Sequence, residues 1–230
     1  MISTVSEGSA ISRSLALSRA TEAELVPILT RHKLYGVAKR VVDIAGSAVF
    51  IACVLSWLVP VLAVLIRLDS RGPVFFLQWR VGKYGKAFRC FKFRTMVVNA
   101  QADWLQATHH DGRITRLGKF LRESNLDEFP QFINVLLGHM SIVGPRPHML
   151  ADFRRFSALI PGYSFRNLIR PGITGLSQVK GYCGPAADPE SISQRFQWDR
   201  NYVQQANFWL DLKIIGLTAK KHIRFLMEAL

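Results

Sequence analysis

Residues 44–66 read IAGSAVFIACVLSWLVPVLAVLI, a run without one charged side chain. As helix it extends about 34 Å, against a hydrocarbon core of about 30 Å, so it is long enough for a membrane. It starts too far into the chain for an ordinary signal peptide and carries no small-residue cleavage site ahead of a secreted domain. Both flanks are basic: Arg31, Lys33, Lys39 and Arg40 precede the run, and Arg67, Arg71, Arg80, Lys83, Lys86 and Arg89 follow it. Cations gather on the cytoplasmic side of membrane segments, so a straight span leaves one flank on the wrong side. Ser56, Trp57 and Pro60 sit inside the run, where a helix can bend, and Pro60 lacks a backbone donor. A re-entrant helix-break-helix, broken at Ser56 and Pro60, lets both flanks face the cytoplasm. A full span and a buried soluble helix are the competing readings.

The chain has 230 residues, enough for one compact domain with attachments. With 30 Lys and Arg against 16 Asp and Glu its formal charge is +14, which calls for an anionic partner: nucleic acid, an acidic membrane face or a phosphorylated small molecule. Cys53, Cys90 and Cys183 have no metal-ligand spacing and fit a reducing compartment.

Outward from the apolar run, residues 1–30 read as a variable tail and residues 31–72 as a basic amphipathic lead-in plus the membrane helix. Asp43, at the junction, either pairs with Lys39 or Arg40 or is merely interfacial. Residues 73–230 form the remaining domain, facing the cytoplasm. Its first part is strand-like: PVFFLQ, the turn-prone VGKYGK, then AFRCFKFRTM, where alternation places Lys92 and Arg94 on one face of a hairpin strand. A solvated basic face is the plain alternative. Residues 97–125 read as a helix, a His109-His110-Asp111-Gly112 turn and a basic helix through Gly118–Glu123; the two histidines lack the spacing of a metal motif. The expected fold is α/β: a mainly helical, membrane-associated catalytic domain with a small β-hairpin and a re-entrant membrane segment.

Within the basic stretch stands an acidic pair, Asp127-Glu128, followed by Phe129-Pro130. Residues 127–137 read as a short helix with Asp127 as N-cap, Pro130 at N3 and Gly138 as the stop. An aspartate there would be held ionised by backbone donors and the helix dipole. It could attack a phosphoanhydride as nucleophile, while Glu128 binds a Mg²⁺ ion that neutralises phosphoryl oxygens. Ordinary helix capping is the bland reading of the same pair. Two rigid turns, Val143-Gly144-Pro145-Arg146-Pro147 and Arg170-Pro171-Gly172-Ile173-Thr174-Gly175, each hold an arginine among prolines and glycines and could present donors to an anion. The last helix, Phe208–Leu230, is amphipathic and basic; it could pack on the domain or lie on the membrane.

The segments KRVVDIAG, LDSRGPVFFLQWRVGKYGKAFRCFKFRTM, DGRITRLGKFLRESNLDEFPQFINVLLGHMSIVGPRP, RPGITGLSQVKG and FWLDLKIIGLT run in order from residue 39 to residue 218. Over most of its length the chain thereby resembles the bacterial sugar transferase family, the monotopic polyprenyl-phosphate phosphoglycosyl transferases. The resemblance implies a cytoplasm-facing active site at the inner membrane, UDP-sugar and undecaprenyl phosphate as substrates, Mg²⁺ as cofactor and UMP as a product. It puts the catalytic dyad at Asp127 and Glu128, with Glu128 assisting the metal. It places phosphate contacts at Pro145, Arg146 and Pro147. The basic segment and the second turn add Lys92, Arg94, Arg113, Arg122, Arg170, Gly172, Thr174 and Gln178 as candidates.

Two positions depart from the family pattern. Trp57 stands where a proline commonly follows the serine of the membrane break, and Cys183 stands at an arginine position, which leaves that work to a neighbour such as Arg170 or Arg195. The chain resembles the short form, without a four-helix membrane region in front. A homodimer is compatible with the sequence, and no nucleic-acid-binding signature is found in it. The rival functional reading is a catalytically impaired relative acting as a membrane-associated basic scaffold or anion-binding protein. The transferred sugar is not encoded in any motif.

Overall fold

The structure is a computed structural model that describes residues 22–99, 105, 107, 111–182, 184 and 188–228, with side chains from residue 35 onward except that of residue 226. The expected sites at His109, His110 and Cys183, and the tail before residue 22, lie outside the described residues.

Helix α1, Glu22–Phe50, continues through a π turn, Ile51–Leu55, into α2, Ser56–Asp69. Backbone angles remain right-handed helical at Phe50, Leu55 and Ser56, so the break is an added residue in the helical ladder. Ser56 Oγ and Trp57 Nε1 donate to the carbonyls of Ala52 and Cys53 (2.7 and 3.0 Å) inside that turn. Pro60 lies one turn later, within α2. The sequence reading placed the break at Ser56 and Pro60; the structure has a π turn directly before Ser56 and keeps Pro60 inside α2.

What decides the topology is where the arms dock. At one end, Lys39 and Tyr35 bind Asp211, while Arg40 donates to the carbonyls of Val135 and Leu136. In the middle, Phe50 stacks on Phe132 at 3.9 Å between centroids. At the other end Arg94 closes the C-terminus of α2, donating to the carbonyls of Ile66, Ser70 and Arg71. Leu55, Leu58, Leu62 and Ile66, spaced three and four apart, are buried against Phe93 and Leu121. Each such side chain contributes about 1.5–3 kcal/mol when fully buried. The opposite side, with Trp57, Val61, Val64, Leu65 and Leu68, is exposed. Because one domain holds both ends of the helix, both ends lie on one side of the membrane. Only 22% of the most apolar window is buried, which removes the soluble-core reading.

Strands β1, Phe75–Val81, and β2, Ala87–Phe93, form the expected antiparallel hairpin, pairing Phe75 with Phe93 and Val81 with Ala87. Tyr84 and Gly85 take positive φ in its turn. Phe88 and Cys90 pack on Val135 and Met140, while Phe93 packs on α2, so the hairpin is covered on both faces. Residues 97–99 are not helical; Met96 instead bridges to Ile114, and the basic helix is α3, Arg116–Glu123.

After α3 come a 3-10 turn, Leu126–Glu128, and α4, Gln131–Leu136, closed by Gly138 at φ 81°. Asp127 is therefore not an N-cap: it is the middle residue of the 3-10 turn, entered through Asn125 in the left-handed region. Strand β3, Ser141–Val143, pairs in parallel with β4, Gly172–Thr174. The remaining helices are α5, Leu150–Leu159, α6, Leu176–Val179, α7, Pro189–Gln205, and α8, Phe208–Glu228.

Two anchors differ from expectation or were not foreseen. Asp43 accepts from Ser141 Oγ and Ile142 N rather than pairing with Lys39 or Arg40, so a buried carboxylate ties α1 to β3. Asp211 of the FWLDLK segment accepts from Tyr35, Lys39 and Tyr202 and locks α8 to α1. Helix α8 packs on the domain through Ile214, which is fully buried, while Trp209, Ile223 and Met227 are exposed.

Candidate active site

The carboxylates of the acidic pair are adjacent in sequence but differ in surroundings. Glu128 Oε1 accepts from Lys92 Nζ at 2.6 Å and from Arg146 at 2.6 Å, and Oε2 accepts from the other terminal nitrogen of Arg146 at 3.0 Å. Burial opposes its charge, but Arg146 and Lys92 outweigh burial and hold it well below the usual carboxylate range. Asp127 is 8% exposed, and its carboxylate has no hydrogen-bond partner among the described residues. Burial raises its pKa to about 6; Lys92 opposes the rise, and the charge on Glu128 adds to it. Contrary to the sequence reading, no helix N-terminus keeps Asp127 ionised. The site thus pairs a carboxylate held charged by Arg146 and Lys92 with a neighbour whose pKa burial raises and which has no hydrogen-bond partner among the described residues.

The pair opens on a cavity of about 410 Å³. Its lining includes the apolar side chains of Phe75, Phe76, Met96, Val97, Val98 and Leu105. It also includes Arg80, Lys92, Arg94, Arg122, Arg146, His148 and Arg195, with Asp152 among them.

Several expected phosphate contacts stand elsewhere. Arg113 forks onto Asp111 with its closest contact at 2.6 Å, Arg170 donates to the Gly138 carbonyl, Thr174 bonds Thr218, and Gln178 donates to the Ile173 carbonyl. None of these four borders the cavity. Gly172 has a different task. A Cβ on it would meet Gly144 N at 2.0 Å, because the two turns run backbone against backbone, with Gly172 N donating to Pro145 O and Gly144 N to Thr174 O. The second turn therefore supports the first, and Pro145 and Pro147 set the course that carries Arg146 to Glu128. Arg94 lines the cavity; its terminal nitrogens donate to the carbonyls of Ile66, Ser70 and Arg71, while its buried Nε has no hydrogen-bond partner among the described residues.

A buried ion pair fixes the same turn from behind. Arg166 binds Asp199 at 2.7 Å and also donates to the Arg146 carbonyl, while Ser177 completes the shell of Asp199. Arg80 and His148 also line the site, and the sequence reading passed over both. The available signals were an arginine two residues from a buried glutamine in β1 and a histidine directly after Pro147.

The residues suit Mg²⁺, which usually takes one or two protein carboxylates and completes its shell with water and substrate phosphates. Asp127 has open lone pairs, and Glu128 retains part of its acceptor capacity beyond the three bonds it accepts. No group of three or more metal-ligating side chains occurs among the described residues, as expected for an ion held largely by substrate.

This fold and site place the chain in a known class. It belongs to the bacterial sugar transferase family, whose family-wide pattern matches residues 34–225. It is 43% identical over 210 residues to a UDP-glucose:undecaprenyl-phosphate glucose-1-phosphate transferase of Klebsiella pneumoniae, covering 89% of this chain and 45% of that protein. It is 42% identical over 189 residues to a UDP-N-acetylgalactosamine-undecaprenyl-phosphate N-acetylgalactosaminephosphotransferase of Aeromonas hydrophila, covering 81% of this chain and 44% of the relative. An exopolysaccharide production protein of Rhizobium leguminosarum is 43% identical over 184 residues, with 78% of this chain and 92% of the relative covered. The chain thus spans less than half the length of the first two. With both arms of its apolar helix held by one domain, the described part of the chain is monotopic at the inner membrane, and its catalytic domain faces the cytoplasm.

Proposed function

We propose that the protein transfers a sugar 1-phosphate from a UDP-sugar to undecaprenyl phosphate through an aspartyl-phosphosugar at Asp127, starting assembly of a surface polysaccharide. The observation that carries this reading is the division of labour in the dyad. A nucleophile needs an open oxygen, which Asp127 has, and Glu128 is held charged beside it by Lys92 and Arg146. An oxygen of Asp127 attacks the phosphorus that bears the sugar. The phosphoanhydride bond breaks, and UMP leaves with the electron pair. An oxygen of undecaprenyl phosphate then attacks the same phosphorus, breaking the acyl-phosphate bond and restoring the carboxylate.

Mg²⁺, held by Glu128 and Asp127 together with substrate phosphates, would neutralise phosphoryl charge and let a carboxylate approach an anion. Lys92, Arg122 and Arg146 supply fixed positive charge to the diphosphate. Apolar and basic side chains lining one cavity suit substrates that join phosphate to a lipid and to a nucleoside. Which sugar is carried is left to assay, and relatives named for different sugars match this chain about equally.

The test is single-turnover chemistry in nanodiscs with Mg²⁺ and a panel of UDP-sugars. Wild-type protein without lipid acceptor is expected to release UMP once and retain the sugar phosphate. Asp127→Asn is expected to do neither. Lipid product formed without any enzyme-bound sugar phosphate would refute the covalent route, and an intact fold with no turnover would favour a scaffold.

A further inference from the structure

Beyond the dyad, residues that line the cavity hold buried polar atoms with nothing to bond among the described residues. His148 Nε2, Arg80 Nε and Arg195 Nε are all buried and without a hydrogen-bond partner among the described residues. All three residues border the cavity; His148 is 4% exposed and Arg195 7%. Orphaned buried donors are costly, so their meeting at one place calls for a ligand.

The local chemistry settles what kind. His148 Nδ1 and Tyr163 Oη are 2.9 Å apart, and Tyr163 does not border the cavity. Nδ1 therefore has the Tyr163 hydroxyl as its partner, and Nε2 is the ring atom left without one. Burial, with Arg166, Arg195, Arg80 and Arg146 around it, pushes His148 well below the ordinary histidine range, so the ring is neutral. With Tyr163 Oη donating to Nδ1, the ring proton sits on Nε2 as a donor. Arginine nitrogens are donors only. An acceptor for these donors is to be supplied by a ligand.

Their position relative to the dyad follows from a shared neighbour. Arg80, His148 and Arg195 each feel the charge of Arg146, and Arg146 is on Glu128. Arg80 is held to this stretch by its bond to the Pro147 carbonyl at 3.0 Å, and Val81 N donates to the His148 carbonyl. Arg195 is oriented by a bond to the Gly184 carbonyl at 2.6 Å. Asp152 also borders this region, as an acceptor suited to hydroxyl groups rather than to phosphate.

We propose that Arg80, His148 and Arg195 form an anion subsite that takes the phosphate of the departing nucleotide. This rests on the transfer reaction proposed above. Charge builds on that phosphate as the anhydride bond breaks, and UMP leaves as an anion, so the donors stabilise it without giving up a proton. Arg195 thereby supplies a cation in a chain that carries Cys183 at the family's arginine position.

The test measures binding to the full chain in nanodiscs by calorimetry, using UMP, uridine and farnesyl phosphate as separate probes. His148→Gln and Arg195→Gln are each expected to weaken UMP at least tenfold, leaving uridine and farnesyl phosphate within twofold and the circular dichroism spectrum intact. Wild-type UMP affinity in both variants overturns the subsite, as does an equal loss of uridine. Loss confined to farnesyl phosphate also overturns it, because the anion held there would then be the acceptor. If His148→Gln does not fold, Arg80→Gln and Arg195→Gln carry the test with the same outcomes. Should wild-type protein form no adduct from any UDP-sugar yet bind UMP through Arg195, the transfer reaction falls and the subsite stands. Normal turnover with unchanged UMP affinity in the variants sinks the subsite alone.

Discussion

Arg146 grips Glu128 with both terminal nitrogens, at 2.6 and 3.0 Å, while its backbone carbonyl is held by Arg166. A two-point grip fixes the carboxylate plane as well as its charge. Arg146→Lys keeps the charge and loses the fork. We expect it to lower the rate of UMP release at least tenfold, and Arg146→Gln at least a hundredfold. The measurement is single-turnover UMP release at saturating UDP-sugar; equal rates in Arg146→Lys and wild type would show that orientation is unimportant.

Asp127 sets the pH dependence. With a pKa of about 6, raised by burial, its reactive form is lost as pH falls, so adduct formation in the resting enzyme should drop about tenfold per unit below that point. A pre-steady-state profile between pH 5 and pH 8 checks this, and a flat profile would assign the nucleophile elsewhere.

The same shift has a stability sign. A carboxyl group with a raised folded pKa binds its proton more tightly in the folded than in the unfolded state, so its contribution to stability falls as pH rises between the two pKa values. Asp127→Asn removes the buried charge. It should raise the unfolding free energy at pH 7.5 by about 3 kcal/mol, read as a higher thermal midpoint, and have little effect at pH 4. Equal midpoints at both pH values would count against the shift.

Asp199 and Arg166 form a pair that is almost wholly buried. Removing one partner of such a pair costs about 3–5 kcal/mol, because the other charge is left stranded. Asp199→Ala should lower the chemical-denaturation midpoint accordingly and free the Arg146 carbonyl, whereas Asp188→Ala, at an exposed helix cap, should lower it far less.

Both arms of the apolar helix should be reached from one side. Cysteine probes at Lys33 and Lys83, in a variant lacking the native cysteines, are expected to react only with reagent admitted to the cytoplasmic face. Labelling from opposite faces would restore a full span.

Much of the fold was legible in the sequence because its signals are local. An uncharged run between basic flanks, alternation through residues 88–94, and Gly138 as a helix stop each act within a few residues. The dyad was also legible, since two adjacent carboxylates in a basic stretch are conspicuous. The role of RPGITG was harder to read. Gly172 looks like a ligand-facing glycine, yet the atom it makes room for is Gly144 N, which is near it only in the folded chain. Arg113 and Arg170 look like phosphate contacts by charge, but nearby acceptors claim them.

Residue type and short-range spacing carry the membrane helix, the hairpin, the acidic pair and the family resemblance. Packing assigns the charges: Glu128 to Lys92 and Arg146, Asp43 to Ser141 and Ile142, Asp211 to α1, and Asp127 to none among the described residues. Ion pairs and burial depend on distances between segments far apart in the chain, and no local pattern contains those distances. The open carboxylate of Asp127 beside its locked neighbour is therefore a product of packing.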